Sequence, residues 1–317
     1  MEQNNVPFLV VGGTTKAATS SIFAWLQDHP QVKKTTVKEF RFFMDTKYPL
    51  RFMDTYQSTE ESLAEYLKNF RANNSQQVLH VDVTPDYLYG ASTPHQLYEA
   101  LPNAQIVFIL RNPLSRVKSW YRFAYQDGLL NGISFDQYLA TQELEEKHDA
   151  GIPQWQRAQE QGRYAYYIQK FLEYFPKPQV HVLFFEELKN DPAKALKEIA
   201  NVSGIDPSFY DEYEFPVVNE TQNLKNPGLH GLYKKATFAI RKATYKSKTL
   251  SALRVGARKL IEPLYRKLNP ETSKETGIGD YDFTPSQRKD LINYYREDIL
   301  ILREILGDQV LPWSEWN

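Results

Sequence analysis

The sequence predicts an α/β protein with a central parallel sheet flanked by helices. Two observations carry this prediction. An apolar run at residues 8–11 leads through a turn of small residues into an amphipathic helix, and a second apolar run at residues 106–110 leads into another helix. Continuous apolar strands that each precede a helix are typical of parallel sheets buried on both faces. Further strand patterns lie at residues 78–83 and 180–185.

Composition limits the classes of protein that fit. The chain has 317 residues, is 42% hydrophobic and contains no low-complexity tract. These properties favour a single domain that spans residues 1–317. A formal net charge of −1 argues against general attraction to nucleic acid. There is no cysteine, and the six histidines show no metal-ligand spacing, so neither disulfides nor a metal site is predicted. No apolar run reaches about 18 residues, which predicts a cytoplasmic protein.

The turn after the first strand has the residues of an anion site. Backbone N–H groups and the positive end of the helix dipole would meet there, and Lys16 adds a cation. Three hydroxyl side chains follow, namely Thr19, Ser20 and Ser21. An ATP- or GTP-binding loop would need Gly immediately before the Lys, but Thr15 stands there. The residues alone leave a phosphate site and an ordinary turn with a solvated lysine both open.

A second phosphate pattern follows the strand at residues 105–110. Arg111 ends that strand, Asn112 can cap the next helix, and Pro113 suits its first position. Ser119 lies on the same helix, eight residues after the arginine. The two side chains together could hold one phosphate, since arginine pairs well with that group.

These motifs resemble those of the sulfotransferases that use PAPS (3′-phosphoadenosine 5′-phosphosulfate), in their heparan-type and bacterial branch. The loop Lys16-Ala17-Ala18-Thr19 is similar to the Lys-Gly-Gly-Thr loop of that family, and Arg111 with Ser119 is similar to its 3′-phosphate signature. The resemblance runs from about residue 7 to the C-terminus. It implies a P-loop-like sulfotransferase fold, PAPS as donor, PAP as product and no metal. Two alanines in place of glycines narrow the backbone conformations allowed.

The resemblance also implies roles for individual residues. Residues 16–21 would bind the 5′-phosphosulfate, and Lys16 with the amides of residues 17–20 would stabilise charge on the bridging oxygen. Lys38-Glu39 matches a family pattern in which the Glu is the catalytic base. Tyr164, in a Gly-Arg-Tyr motif, could contact the nucleotide, and Lys225 falls in a late basic loop that closes the nucleotide site.

Asp82 is a rival for the role of base. It stands near the end of a predicted strand, where open α/β sheets place ligand-contacting groups. The family commonly has an acid, a Lys and Ser/Thr-Pro here, and this chain has Val83 in place of the Lys. A second catalytic lysine is therefore not supplied from this position.

A basic segment spans residues 230–268, with eleven Lys or Arg residues and one acidic residue. Helical spacing of its apolar residues predicts basic amphipathic helices. A solvated face is the usual meaning of such a run. The excess charge equally suits an anionic partner, such as an acidic carrier protein, a charged glycan or a membrane surface.

The sequence thus predicts a sulfotransferase that moves a sulfuryl group from PAPS to a hydroxyl or amine of a glycan, lipid or acyl/polyketide acceptor. Two alternatives stay open. One is a nucleotide-dependent kinase, which would require ATP and Mg²⁺. The other is a non-catalytic protein that docks on a membrane or a carrier protein through the basic segment.

Overall fold

A parallel sheet forms the centre of the protein. The computed structural model describes residues 6–35, 37–45, 48, 54–130, 132–144, 152–218, 229–233, 236–237, 262–263, 265, 267–270 and 281–316. Within them, the strands are β1 (Phe8–Gly13), β2 (His80–Val83), β3 (Gln105–Leu110) and β4 (Val180–Phe184). They form one sheet in the order β2-β1-β3-β4, with every pair parallel. The predicted central parallel sheet is confirmed.

The strand order places β1 and β3 side by side in the middle of the sheet. The chain leaves β1 towards β2 on one side and then returns to β3 on the other side. In an open α/β sheet, this reversal of strand order opens a crevice at the carboxyl ends of the two central strands. The β1–β3 register also shifts between Val11 and Gly13, where β1 ends. The loops that follow β1 and β3 therefore meet at the predicted ligand edge.

Helices connect the strands, as the sequence pattern predicts. Those whose two ends both lie in the described part of the chain are α1 (Thr19–Asp28), α2 (Glu60–Leu67), α3 (Thr93–Ala100), α4 (Pro113–Gln126), α5 (Phe135–Ala140), α6 (Tyr164–Leu172), α7 (Phe185–Asn190), α8 (Pro192–Ser203) and α9 (Pro285–Leu306). Residues 229–233 are also helical.

Alternate residues of β1 enter two separate cores on opposite faces of the sheet. Leu9 and Val11 belong to a core that includes Ile22 of α1 and Leu196 of α8. Residues of the other parity, such as Val10, belong to a larger core that takes in side chains of α3, α4, α6 and α9. Because side chains alternate along a strand, helices on both faces bury the whole of β1.

Local sequence signals fix the helix that carries the second phosphate motif. Asn112 accepts hydrogen bonds from the amides of Leu114 (3.0 Å) and Ser115 (3.1 Å), and Pro113 occupies the first position of α4. The side chain of an N-cap residue satisfies amides that have no acceptor inside the helix. The cap therefore starts α4 immediately after Arg111.

Candidate active site

The loop between β1 and α1 has the geometry of an anion cradle. Ala18 has φ 58° and is the N-cap of α1, and Lys16 has φ 70°. The amides of Ser21 and Ile22 both donate to the carbonyl oxygen of Ala18, at 2.9 and 3.2 Å. The first turn of α1 holds no acidic residue, so no carboxylate competes for its N–H groups. A helix N-terminus of this kind favours a phosphate or sulfate.

The side chain of Lys16 joins this loop to α4. Its ammonium nitrogen lies 4.1 Å from the ring centroid of Phe123 and 5.9 Å from that of Trp120. Ser119 precedes this tryptophan and is half-buried. The structure thus brings the lysine of the first motif to the helix that carries the serine of the second.

Arg111 binds the same loop from the end of β3. Its Nη1 donates to the carbonyl oxygen of Lys16 (2.9 Å), and its guanidinium lies 4.5 Å from the ring centroid of Phe185. Burial lowers the pKa of Arg111, while Glu186 opposes that shift, and an arginine stays protonated in proteins. Two cations, Lys16 and Arg111, therefore lie at the crevice between β1 and β3.

The buried side chain of Arg116 supports the loop from below. It has no exposed surface. Nε and Nη2 donate to the carbonyl and hydroxyl oxygens of Thr15 (3.1 and 2.9 Å), and the other donors reach the carbonyl of Ala158 (2.9 Å) and the side chain of Gln161 (3.1 Å). Arg116 was not among the predicted site residues, although the 3′-phosphate signature that Arg111 and Ser119 resemble has a second arginine between them.

A carboxylate network holds the end of β3. Glu186 accepts from the amide of Asn112 (2.9 Å) and from the indole of Trp313 (3.0 Å). The side-chain amide of Asn112 in turn donates to Glu315 (2.9 Å), which also pairs with Arg288 (2.7 Å). The residue that follows Arg111 is thus fixed by the last described residues of the chain.

Glu39 lies on a segment between α1 and α2, with 25% of its side-chain surface exposed. It pairs with Lys38 (2.7 Å) and with Arg41. Burial alone would raise the pKa of Glu39, but the two cations outweigh it, so the pKa lies below its ordinary value. The carboxylate is therefore ionised and can accept a proton.

Arg41 connects Glu39 to a second carboxylate. It donates through Nε to Asp86 (2.9 Å) and has a left-handed backbone, with φ 54°. Asp86 also accepts from Gln154 (2.8 Å), which contacts Tyr48. Left-handed conformations in non-glycine residues often mark functional sites.

The structure does not present Asp82 to the crevice, contrary to its expected place beside it. The side chain has no exposed surface, and its oxygens accept from the hydroxyls of Tyr66 (2.7 Å), Thr84 (2.6 Å) and Tyr87 (2.9 Å). Burial raises the pKa of Asp82 to about 6, although the three hydrogen bonds oppose that shift. The carboxylate of Asp82 thus has no exposed surface, whereas the side chain of Glu39 is partly exposed.

Two other residues, Tyr164 and Lys225, were predicted to contact the nucleotide. Tyr164 is fully buried, and its hydroxyl donates to the carbonyl oxygen of Arg111 (2.7 Å), so it supports the strand end and does not face a nucleotide. Lys225 lies outside the described residues. The chain before it reaches the cradle, because the hydroxyl of Ser21 donates to the carbonyl of Val218 (3.4 Å).

Two features are absent from the part of the chain that the structure describes. No group of three or more His, Cys, Asp or Glu residues there could hold a metal ion. No helix among those residues is long and apolar enough to cross a membrane. Most of the basic segment at 230–268 lies outside the described residues.

The fold is an α/β fold whose central strands β1 and β3 end at a loop with the geometry of an anion cradle, where Arg111 donates to the carbonyl oxygen of Lys16. The chain belongs to the sulfotransferase domain family, whose pattern matches residues 8–245. This confirms the predicted family, and it favours sulfuryl transfer over the kinase alternative.

Comparison with individual proteins agrees with the family. A bifunctional heparan sulfate N-deacetylase/N-sulfotransferase of Drosophila melanogaster is 25% identical over 213 residues, which is 64% of this chain and 20% of the relative. Its Caenorhabditis briggsae counterpart is 25% identical over 240 residues, covering 72% of this chain and 25% of the relative. The chain thus spans only a fifth to a quarter of these relatives.

A solved structure shares the fold. The sulfotransferase of Alicyclobacillus acidocaldarius superposes with a TM-score of 0.62 at 20% identity, covering 96% of this chain and 97% of that one. The predicted sulfotransferase fold is confirmed.

Proposed function

We propose that the protein transfers the sulfuryl group of PAPS to a hydroxyl or amine of an acceptor. The observation that carries the proposal is the meeting of two phosphate motifs at one crevice, where Arg111 donates to the carbonyl oxygen of Lys16 (2.9 Å). PAPS has phosphate groups at its 5′ and 3′ positions, and each motif suits one of them. The donor set fits such a polyanion, since it contains two cations and a helix N-terminus.

Each residue then has a defined task. The amides of residues 17–20 and the hydroxyls of Thr19, Ser20 and Ser21 bind the 5′ end, and Arg111 with Ser119 binds the 3′-phosphate. Lys16 lies beside the bridging oxygen and stabilises the charge that develops there. PAPS supplies the sulfuryl group and leaves as PAP.

Glu39 removes the proton of the acceptor. The acceptor oxygen or nitrogen forms a bond to sulfur, the bond from sulfur to the bridging oxygen breaks, and the proton moves to the Glu39 carboxylate. Its lowered pKa keeps that carboxylate ionised at neutral pH. The reaction depends mainly on positioning, as in phosphoryl transfer.

The acceptor is a hydroxyl or amine of a glycan, lipid or acyl chain, and a glycan comes first because the curated relatives are heparan sulfate N-sulfotransferases. Transfer from ³⁵S-labelled PAPS to N-desulfated heparin, dodecanol and p-nitrophenol tests these classes. An anionic partner at residues 230–268, a cytoplasmic location and a nucleotide contact from Lys225 stay predictions. If none of the three acceptors takes up the label and the protein does not bind PAP, the proposed function is refuted.

Binding of PAP and AMP tests the nucleotide assignment by calorimetry. AMP lacks the 3′-phosphate, so Arg111→Ala should weaken PAP binding by about 2–5 kcal/mol and leave AMP binding nearly unchanged. Lys118→Ala is the matched control, because it removes a nearby cation of α4 that pairs with Asp282 (3.0 Å). If Arg111→Ala weakens the binding of PAP and AMP equally, Arg111 only supports the loop and does not bind the 3′-phosphate.

The rate of transfer tests whether Glu39 is the catalytic base. Glu39→Gln keeps the shape and removes the base, so the rate should fall about 10²–10⁴-fold while PAP affinity stays the same. Glu65→Gln is the matched control, since this exposed glutamate pairs only with the surface residue Lys68 in the described structure. Lys16→Ala should instead weaken both PAP binding and transfer. Full activity in Glu39→Gln would remove this residue from the mechanism.

A further inference from the structure

The buried carboxylate of Asp82 is linked to the segment that carries Glu39. Asp82 is fixed to the sheet, because it pairs with Val10 in the β1–β2 register. Its three hydrogen-bond donors are the hydroxyls of Thr84, Tyr87 and Tyr66. The proposed mechanism does not use this carboxylate.

Two of these hydroxyls also accept hydrogen bonds from the backbone of residues 40–43. The hydroxyl of Thr84 accepts from the amides of Phe40 (3.1 Å) and Arg41 (3.5 Å). The hydroxyl of Tyr87 accepts from the amides of Phe42 (3.1 Å) and Phe43 (3.4 Å). Each hydroxyl thus donates to one carboxylate and accepts from the segment that begins one residue after Glu39.

The third hydroxyl, that of Tyr66, accepts no hydrogen bond from the backbone of residues 40–43. Tyr66 donates to Asp82 Oδ2 (2.7 Å), as does Tyr87 (2.9 Å), and both side chains are almost completely buried. The ring of Tyr66 packs on Phe40, Phe42 and Phe43, but no amide of that segment donates to its oxygen. Tyr66 and Tyr87 are therefore a matched pair that differs in one property.

The hydrogen bonds have a consequence for the segment itself. Residues 37–45 form neither helix nor strand, so their amides have no regular ladder to satisfy them. Phe40, Phe42 and Phe43 are buried, and a buried amide needs an acceptor. An acceptor hydroxyl that is itself held by a carboxylate has a fixed orientation, which fixes the backbone that donates to it.

We propose that Asp82 is a positioning residue, which acts through Thr84 and Tyr87 to hold residues 40–43 and so places the Glu39 carboxylate for proton removal. This inference rests on the proposed function, in which Glu39 is the base. It gives Asp82 a place in the reaction without contact with the acceptor. A misplacement of about 1 Å in an active site can cost about 10²-fold in rate.

The first test compares Tyr87→Phe with Tyr66→Phe by amide hydrogen exchange. Each variant removes one hydroxyl donor from the same carboxylate oxygen, but only Tyr87→Phe removes the acceptor of the amides of Phe42 and Phe43. We expect faster exchange in a peptide covering residues 40–43 for Tyr87→Phe alone. This measurement needs neither PAPS nor an acceptor, so it tests the linkage apart from the proposed function. Equal exchange in the two variants would overturn the inference.

The second test measures single-turnover transfer from ³⁵S-labelled PAPS to the fastest acceptor of the panel. Tyr87→Phe should lower the rate about 10- to 100-fold more than Tyr66→Phe, with unchanged PAP affinity in both. Thr84→Val should behave like Tyr87→Phe, and Thr84→Ser, which keeps the hydroxyl, should restore the rate. A similar rate loss in the two tyrosine variants would show a structural role only.

The double variant Glu39→Gln/Tyr87→Phe separates the inference from the proposed function. If Tyr87 acts through the base, Tyr87→Phe should cause little further loss once Glu39 is replaced, because the two effects are not additive. Additive losses would overturn the positioning role and leave Glu39 as the base. Full activity in the single variant Glu39→Gln would instead refute the base assignment.

Discussion

The left-handed backbone of Ala18 allows a direct test of the cradle geometry. Ala17 and Ala18 stand where the related sulfotransferase loop has two glycines, but only Ala18 has a positive φ, of 58°. Ala17 is completely buried, and Ala18 is half-buried. We therefore compare Ala18→Gly with Ala17→Gly, which are identical changes at neighbouring positions.

The expected difference in stability between the two variants follows from the left-handed backbone conformation of Ala18. A left-handed conformation costs an L-residue about 1–2 kcal/mol, and glycine avoids this cost. Glycine also loses about 0.5–1 kcal/mol through its greater freedom in the unfolded chain, but this loss applies to both variants and cancels. Ala17→Gly additionally removes a fully buried methyl group. Ala18→Gly should therefore be more stable than Ala17→Gly by at least about 1–2 kcal/mol.

Urea unfolding at one pH measures this difference, provided that the two variants have the same dependence on denaturant. PAP affinity serves as the functional readout, and it should be retained in Ala18→Gly because glycine adopts the same conformation. If the two variants lose the same stability, the left-handed geometry at Ala18 is refuted. If Ala18→Gly is the less stable of the two, the whole argument about the cradle fails.

Three further predictions follow. Arg116→Met should cost on the order of 3 kcal/mol in urea unfolding, because Thr15 and Gln161 lose buried donors, and PAP should bind less tightly; unchanged stability would contradict this. Arg41→Gln should move the acid limb of the pH–rate profile to higher pH, since Arg41 lowers the pKa of Glu39; an unmoved limb would contradict it. Asp298 of α9 is buried and accepts from the amides of Ala165 (3.1 Å) and Tyr166 (3.0 Å). Burial raises the pKa of Asp298 to about 7, above its unfolded value of about 3.9, so wild-type stability should fall relative to Asp298→Asn as pH rises from about 4 to about 7. If the difference in stability between the wild type and Asp298→Asn does not change between about pH 4 and about pH 7, the last prediction is refuted.

The sequence predicted the strands and the phosphate motifs because their signals are local. Asn112 caps α4 with Pro113 at its first position, so this helix begins as predicted, and Thr284 and Gln287 form a similar local signal, a capping box, at α9. Apolar runs with flanking caps determine such elements without knowledge of the rest of the chain. The parallel sheet follows from them, since each strand is succeeded by a helix.

Burial and long-range partners could not be predicted in the same way. Asp82 was expected beside the crevice because it ends a strand, but its three donors come from elements whose packing the pattern does not reveal. Tyr164 was expected to contact a nucleotide, yet it supports Arg111. The contacts of Arg116 could not be predicted from its position in the motif, because its acceptor Thr15 lies 101 residues away. Residue type gave no indication of these side-chain directions.

The carboxylate network at the end of β3 has a consequence for the order of folding. Asn112 bonds to Glu315, 203 positions along the chain, and Glu186 bonds to Trp313. During synthesis the N-terminal part of a protein emerges first, and contacts between distant positions form late. The cradle of β1 and α1 can form early, but the corner that carries Arg111 is complete only after residues 313–315 have left the ribosome and docked. Newly made chains should therefore gain tight binding of a 3′-phosphate only after residues 313–315 have docked.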